Sequence, residues 1–388
     1  MNFIRNRNFR AGPQTSLEGF ICPQNSDKQQ KIKVFGRSVG GANSRLSNFE
    51  LYRIIVMLLI VAHHYVVNSG VEPLMAENPL AAKSIFLYLL GMWGKTGING
   101  FVLITGYFMC KKQIALRKFL KLLLEVEFYN VVIGGLFLLT GYESISLKAL
   151  FQMFIPIKSL ASGFTSCFLI FYLLIPFLNV LIEKMNQKMH QRLLMLCLVG
   201  YTLLGSVPKF YVTFNYVTWF AILYFISSYI RIYGLANGLK HKHWGYITLI
   251  TIVVSIMSCI LMLKLHADLN ITLVPYWFVA DSNKILAVLT SVSSFMYFKD
   301  LHIKQSKFIN TVSASTFGVL CIHANSDTMR QWLWKDTIDC VGQYNNEYIY
   351  ILSLASILAI FAICVLLDFL RIHSVEKWTF KWLDKRIA

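Results

Sequence analysis

The sequence predicts an all-α protein, a polytopic transmembrane helical bundle of about ten spans with both termini in the cytoplasm. Three observations lead there. Of the 388 residues 56% are hydrophobic and 14% charged, with a mean hydropathy of +0.55, far from the composition of a soluble globular domain. The apolar residues gather in runs of roughly 20, the length that crosses a hydrocarbon core. Lys and Arg, which give a net charge of +18, recur in short bursts between those runs and not on one soluble patch. That distribution marks cytoplasmic loops and excludes nucleic acid as the reason for the basic charge.

Along the chain, residues 1–44 come first, rich in Gln and Asn and interrupted by Pro13, Pro23 and Gly40-Gly41. They are polar and basic, contain no signal-peptide core, and read as a disordered cytoplasmic tail. The remainder, 45–388, reads as one transmembrane domain. Its apolar runs lie near 50–67, 84–109, 118–140, 163–182, 193–208, 215–233, 244–265, 282–298, 308–324 and 348–370. The segment 146–158 is apolar but short and holds Pro156, so it reads as interfacial or re-entrant.

Charge orients the spans. With the N-terminus inside, cytoplasmic segments hold Lys111, Lys112, Arg117, Lys118 and Lys121, then Lys184, Lys188 and Arg192, then Arg231, Lys240 and Lys242. Lys299, Lys304 and Lys307 follow, and last Arg371, Lys377, Lys381, Lys385 and Arg386. The outer loops between them are poor in Lys and Arg, as the positive-inside rule requires. The eight cysteines are scattered without a C-x-x-C pair, mostly inside apolar runs, and read as small buried hydrophobes rather than a disulfide framework or a metal site.

The chemistry concentrates in the first span. Glu50-Leu-Tyr-Arg53 runs into an apolar stretch that ends in His63-His64-Tyr65. Eleven residues separate Arg53 from His64, so both stand within about 20° on one helix face and about 16 Å apart along the axis. Ionisable groups inside a span are costly and mark functional sites. Glu50 is within ion-pair reach of Arg53, and an imidazole can take a proton from a hydroxyl or carry an acyl group itself. His63 is about 80° off that face and reads as a packing or supporting residue. Lys95, deep in the second run among Gly94, Gly97, Asn99 and Gly100, suggests a broken helix lining a cavity. His323 reaches the outer boundary at the end of the ninth run. Arg117, Lys118 and Lys121, at the cytoplasmic start of the third run, are either a membrane anchor or a grip on the phosphates of a cofactor.

At these residues the chain resembles the acyltransferase family 3 membrane O-acyltransferases, the bacterial branch linked to surface polysaccharide. The family's acidic residue, arginine and histidine of the first span match Glu50, Arg53 and His64. Further matches are Gly100-Phe-Val-Leu-Ile-Thr-Gly-Tyr-Phe108, Tyr172-Leu-Leu-Ile-Pro-Phe-Leu-Asn179, the segment from Trp219 to Tyr233, and Ser315-Thr-Phe-Gly-Val-Leu-Cys-Ile-His323. The similarity runs over about 45–380. It implies transfer of an acyl group, usually acetyl from acetyl-CoA, to a sugar hydroxyl of an envelope or exported glycan, in the bacterial cytoplasmic membrane. His64 would be the catalytic histidine and Arg53 its partner. Two departures stand out. The family's paired arginines near the third span fall on Lys118 and Lys121, which keep charge but lose the bidentate fork. Its tryptophan ahead of the fourth run is missing around Gly163-Phe164.

The reaction implied uses no metal, and its partners are membrane lipid and a glycan acceptor. A competing class is a transporter or flippase of a glycan or lipid-linked sugar, with Arg53, Lys95 and His64 as substrate or proton contacts. The absence of a visible internal repeat argues against it. A glycan polymerase would carry a long outer loop, and the longest here, about 325–347, is modest.

Overall fold

In the computed structural model the described residues are 45–387, apart from 113–115, 159–162, 209, 211, 214, 237 and 270–273. The tail reading for 1–44, with Cys22, lies outside them. The described chain is all helical, and the core of its bundle is the first helix, α1 (Ser47–Val67). Short α2 (Glu72–Glu77) leads to α3 (Ala82–Gly91) and α4 (Gly94–Met109), which together make up the second apolar run, broken at Met92-Trp93. Then come α5 (Leu116–Leu139), α6 (Leu147–Met153), α7 (Phe164–Lys184), α8 (Gln187–Cys197), α9 (Leu204–Ser206), α10 (Tyr216–Tyr233) and α11 (His241–Leu269). The chain closes with α12 (Ile285–Lys299), α13 (Lys307–Ala314), α14 (Thr316–His323), α15 (Asp327–Arg330), α16 (Cys340–Tyr344), α17 (Ile349–Arg371) and α18 (Lys377–Ile387).

Among the described residues five helices are long and apolar enough to cross a membrane: α1, α5, α7, α11 and the segment Ile349–Trp382 that contains α17. The other apolar runs form shorter or interrupted helices. Two of the interruptions carry site residues, since α4 restarts at Gly94 beside Lys95 and α14 restarts after Ser315 and ends at His323. The segment 146–158 holds only the short α6, with Pro156 beyond its end.

Contact with α1 explains why this helix can hold ionisable groups. It packs against α3, α4, α12, α13, α14 and α17. Every third residue at the start of α4 is glycine, and that stripe faces α1. A Cβ at Gly97 would lie 2.7 Å from the Val56 carbonyl oxygen, one at Gly100 2.7 Å from the Tyr52 hydroxyl, and one at Gly94 inside the His63 ring. Small residues let two helices approach where lipid gives no hydrophobic drive. Gly97→Val is therefore expected to push α4 from α1 and reduce the monodisperse protein recovered in detergent, measured by size-exclusion chromatography.

Hydrogen bonds fix the remaining neighbours. Asn99 accepts from the Trp219 indole at 2.9 Å and donates to the Ser282 carbonyl at 2.7 Å, tying α4 to α10 and the turn before α12. Asn179 of α7 accepts from Tyr224 of α10 at 2.6 Å and donates to the Met109 carbonyl. Arg231 donates to the Tyr107 hydroxyl at 2.9 Å. The motif segments around Tyr172–Asn179 and Trp219–Tyr233 thus act here as the ties that hold α4, α7 and α10 together.

One buried charge cluster joins α5 to α17. Arg371 ion-pairs with Glu125 at 3.0 Å, Asp368 at 2.8 Å and Glu376 at 3.0 Å, and Tyr129 donates to Asp368 at 2.8 Å. Asp368 lies directly against Gly318 of α14, where a side chain would collide with it. Glu125 is four residues from Lys121, a spacing that allows a helix ion pair, but the Arg371 guanidinium takes it and Lys121 pairs with Glu376 at 2.5 Å.

Candidate active site

The C-terminal half of α1 opens on a cavity of about 590 Å³. Its walls come from α1, α4, α5, the segment around α6, the start of α7 and the stretch Leu320–Arg330. His64 lines it, with Lys95 on the α4 wall and Asn130 on the α5 wall. This volume suits a small-molecule or sugar-sized group, and the walls mix apolar side chains with polar ones such as Asn130, Lys158 and Arg330.

His64 is half-buried and its ring meets His323, with Nδ1 2.9 Å from Nε2. His323 is wholly buried behind it, its own Nδ1 2.6 Å from the Val319 carbonyl oxygen one turn back in α14. Trp334 stands edge-on to the His323 ring at 6.3 Å. Lys95 donates to the Tyr216 hydroxyl at 2.8 Å. Lys158 donates to Asn130 at 3.3 Å, and Phe164 forms an aromatic wall where the sequence lacks a tryptophan.

The structure separates the residues expected to act together. His64 and Lys95 line one cavity with His323 directly behind His64, whereas Arg53 does not line it. Arg53 sits lower on the same helix, its Nε 3.8 Å from Glu50 and its guanidinium carbon 5.6 Å from the Phe101 ring centre. That Nε is buried without a hydrogen-bond partner. Glu50 accepts from Ser313 and, at 3.2 Å, from Arg45, so it also clamps α1 to α13. Of the basic group at the start of α5, Lys121 is paired with Glu376 and Arg117 lies over the Phe380 ring at 5.2 Å; Lys118 is exposed. None of the three lines the cavity.

His63 also borders the cavity, with one ring nitrogen tied to the backbone. Its Nδ1 donates to the Gly91 carbonyl at 2.7 Å, at the α3–α4 break. His63→Ala is expected to leave most catalytic activity while costing about 1–3 kcal/mol through the orphaned carbonyl. A thermal-unfolding scan beside an activity assay checks both halves, and complete loss of activity would contradict the assignment.

Sequence reasoning missed Asn130, Lys158, Tyr216 and Arg330 on the cavity wall. No local pattern points to them, because they come from four separate segments. The α17 pair Asp368 and Arg371, three residues apart inside an apolar run, carried a readable signal of the same kind as Glu50 and Arg53.

With this geometry in place, comparison with known families is decisive. The model of the acyltransferase 3 family, described as an acyltransferase domain, matches residues 46–369. The chain belongs to the acyltransferase 3 family. The match takes in α1 through most of α17, and with them every residue around the cavity. Comparison with curated proteins and with solved structures returns no match. This acyltransferase 3 protein therefore carries the family's transferase domain across nearly all of its described helices. Its membrane-spanning helices make it a multi-pass membrane acyltransferase.

Proposed function

We propose that the protein moves an acyl group, acetyl in the first instance, from acetyl-CoA to a sugar hydroxyl of a cell-envelope or exported polysaccharide. The observation that carries this reading is His64 on the wall of a sugar-sized cavity with one ring nitrogen engaged by His323 and the other left for substrate. A sugar hydroxyl is a weak nucleophile and needs a base within hydrogen-bond reach. In the reaction the acceptor oxygen bonds to the thioester carbonyl carbon as its proton passes to His64 Nε2. The carbon–sulfur bond then breaks, and the proton goes from His64 to the departing thiolate, giving an ester and free CoA. Lys95, with its ammonium in the same cavity, favours the oxygen that becomes negative between those two steps.

Donor and acceptor arrive from opposite sides. Ten spans with both termini in the cytoplasm of a bacterial inner membrane place Arg53 in the inner half of α1 and His64 in the outer half. The alternation of basic and base-poor loops supports that orientation. Arg53, with its unmatched buried Nε, is the donor-side contact. Lys118, exposed at the start of α5, attracts the cofactor's phosphates at the inner surface, with Arg117 and Lys121, both engaged elsewhere in the fold, adding only to the local positive field.

Incubating membranes that carry the protein with acyl-labelled acetyl-CoA tests the reaction class. Label in the glycan fraction supports the transferase, and unlabelled glycan that is still exported normally would support a transporter. Mass analysis of envelope glycan from cells with and without the chain identifies the sugar and the hydroxyl.

A further inference from the structure

The buried ring of His323 is absent from the cavity wall, yet it touches the one ring that the proposed chemistry needs. Its own contacts determine what it can do. His323 Nδ1 lies 2.6 Å from the Val319 carbonyl oxygen. A carbonyl only accepts, so that nitrogen carries a hydrogen. In the neutral ring the other nitrogen, Nε2, then holds a lone pair. Nε2 is 2.9 Å from His64 Nδ1, which must supply the hydrogen between them. A neutral His64 protonated at Nδ1 has its lone pair at Nε2.

We propose that His323 is a positioning residue that fixes the tautomer of His64, so that Nε2 of His64 is the proton-accepting atom. The inference rests on the acyl-transfer reading of His64 and adds a role for a second ring. The chain Val319 carbonyl, His323, His64 is built into one rigid unit. Val319 and His323 are one turn apart in α14, and α14 packs on α1. Both His323 and Val319 are completely buried, so water does not compete for these hydrogen bonds. A histidine held by a partner at one nitrogen is directed to work through the other. When Nε2 takes the acceptor's proton, the resulting positive charge sits on a ring whose Nδ1 hydrogen already points at the His323 lone pair. This stabilises the charged ring through the transfer and returns the same tautomer when the proton leaves.

Three variants and one spectroscopic measurement test the assignment. His323→Phe keeps an aromatic ring but offers no lone pair. His323→Gln places a carbonyl oxygen where Nε2 stood. His323→Lys offers a donor only and would oblige His64 Nδ1 to accept. The expected result is that Phe and Lys lower kcat by on the order of 10²-fold or more, the scale of a lost general base. KM for acyl-CoA should move by less than about threefold, since ground-state binding is untouched. Gln should retain activity within about tenfold of the native protein. In the double variant His64→Ala with His323→Phe, no further loss beyond His64→Ala is expected, because the two rings act as a unit. Equal activity of Phe and native protein, or equal inactivity of Gln and Phe in folded protein, would overturn the proposal.

Should the variants fail to fold, the native protein still decides. In histidine-15N-labelled protein in lipid, the resonance absent from His64→Ala belongs to His64. Its hydrogen is expected on Nδ1, and a hydrogen on Nε2 would overturn the proposal. The failures are separable. If His64→Ala itself keeps native transfer, the acyl-transfer role of His64 is wrong. If it abolishes transfer while His323→Phe does not, only the positioning role falls.

Discussion

His64→Ala is expected to reduce acyl transfer by about 10²–10⁴-fold, the range that a positioned general base supplies. The substitution removes the ring but little of the fold. His64 borders open cavity, whereas the buried apolar packing of α1 is made by other side chains, among them Val56, Met57 and Val61. Loss of the ring leaves one buried lone pair on His323 Nε2, which the cavity's water can satisfy. Binding of acyl-CoA should change only a few-fold, because no ground-state contact to the donor is assigned to His64. Release of CoA thiol by purified protein reads kcat and KM separately. A folded variant with unchanged kcat would remove the imidazole from the reaction.

Arg371→Leu is expected to have the largest effect on stability. The guanidinium is 4% exposed and meets three carboxylates, of which Asp368 is fully buried. Removing the cation leaves Glu125 and Asp368 without a counter-charge inside the bundle, a loss of about 3–5 kcal/mol for a broken buried pair. Because Asp368 also presses on Gly318, the disturbance reaches the helix that carries His323. The expected result is protein that inserts poorly or unfolds at a much lower temperature in detergent. Arg371→Lys keeps the charge without the fork and should fall between the two. A thermal midpoint within a degree or two of the native protein would show that the cluster is not structural.

Some of this architecture was legible from periodicity and some was not. The eleven-residue step from Arg53 to His64 correctly put both on one helix, and glycines around Lys95 anticipated the broken helix and the cavity beside it. A helical step fixes azimuth but says nothing of how far a cavity extends. The cavity stops at Ile60, four residues before His64, and Arg53 is left among Glu50 and Phe101. His323 was visible as a lone histidine at a helix end, but its contact with His64 spans 259 residues of sequence and depends on how α14 docks on α1. The cations at the start of α5 stand within five residues of one another in the sequence. In the fold they divide between Glu376, the Phe380 ring and the surface, because α18 returns to cover the start of α5.

Base-labile label is the most direct measure of the central claim, that an imidazole on α1 passes the acceptor's proton during acyl transfer. Membranes holding equal amounts of native chain and of the His64→Ala chain are given acyl-labelled acetyl-CoA and acceptor glycan. The account predicts ester-linked label in glycan from the native chain and at most about one hundredth of that rate from the variant. Equal rates from both would contradict it.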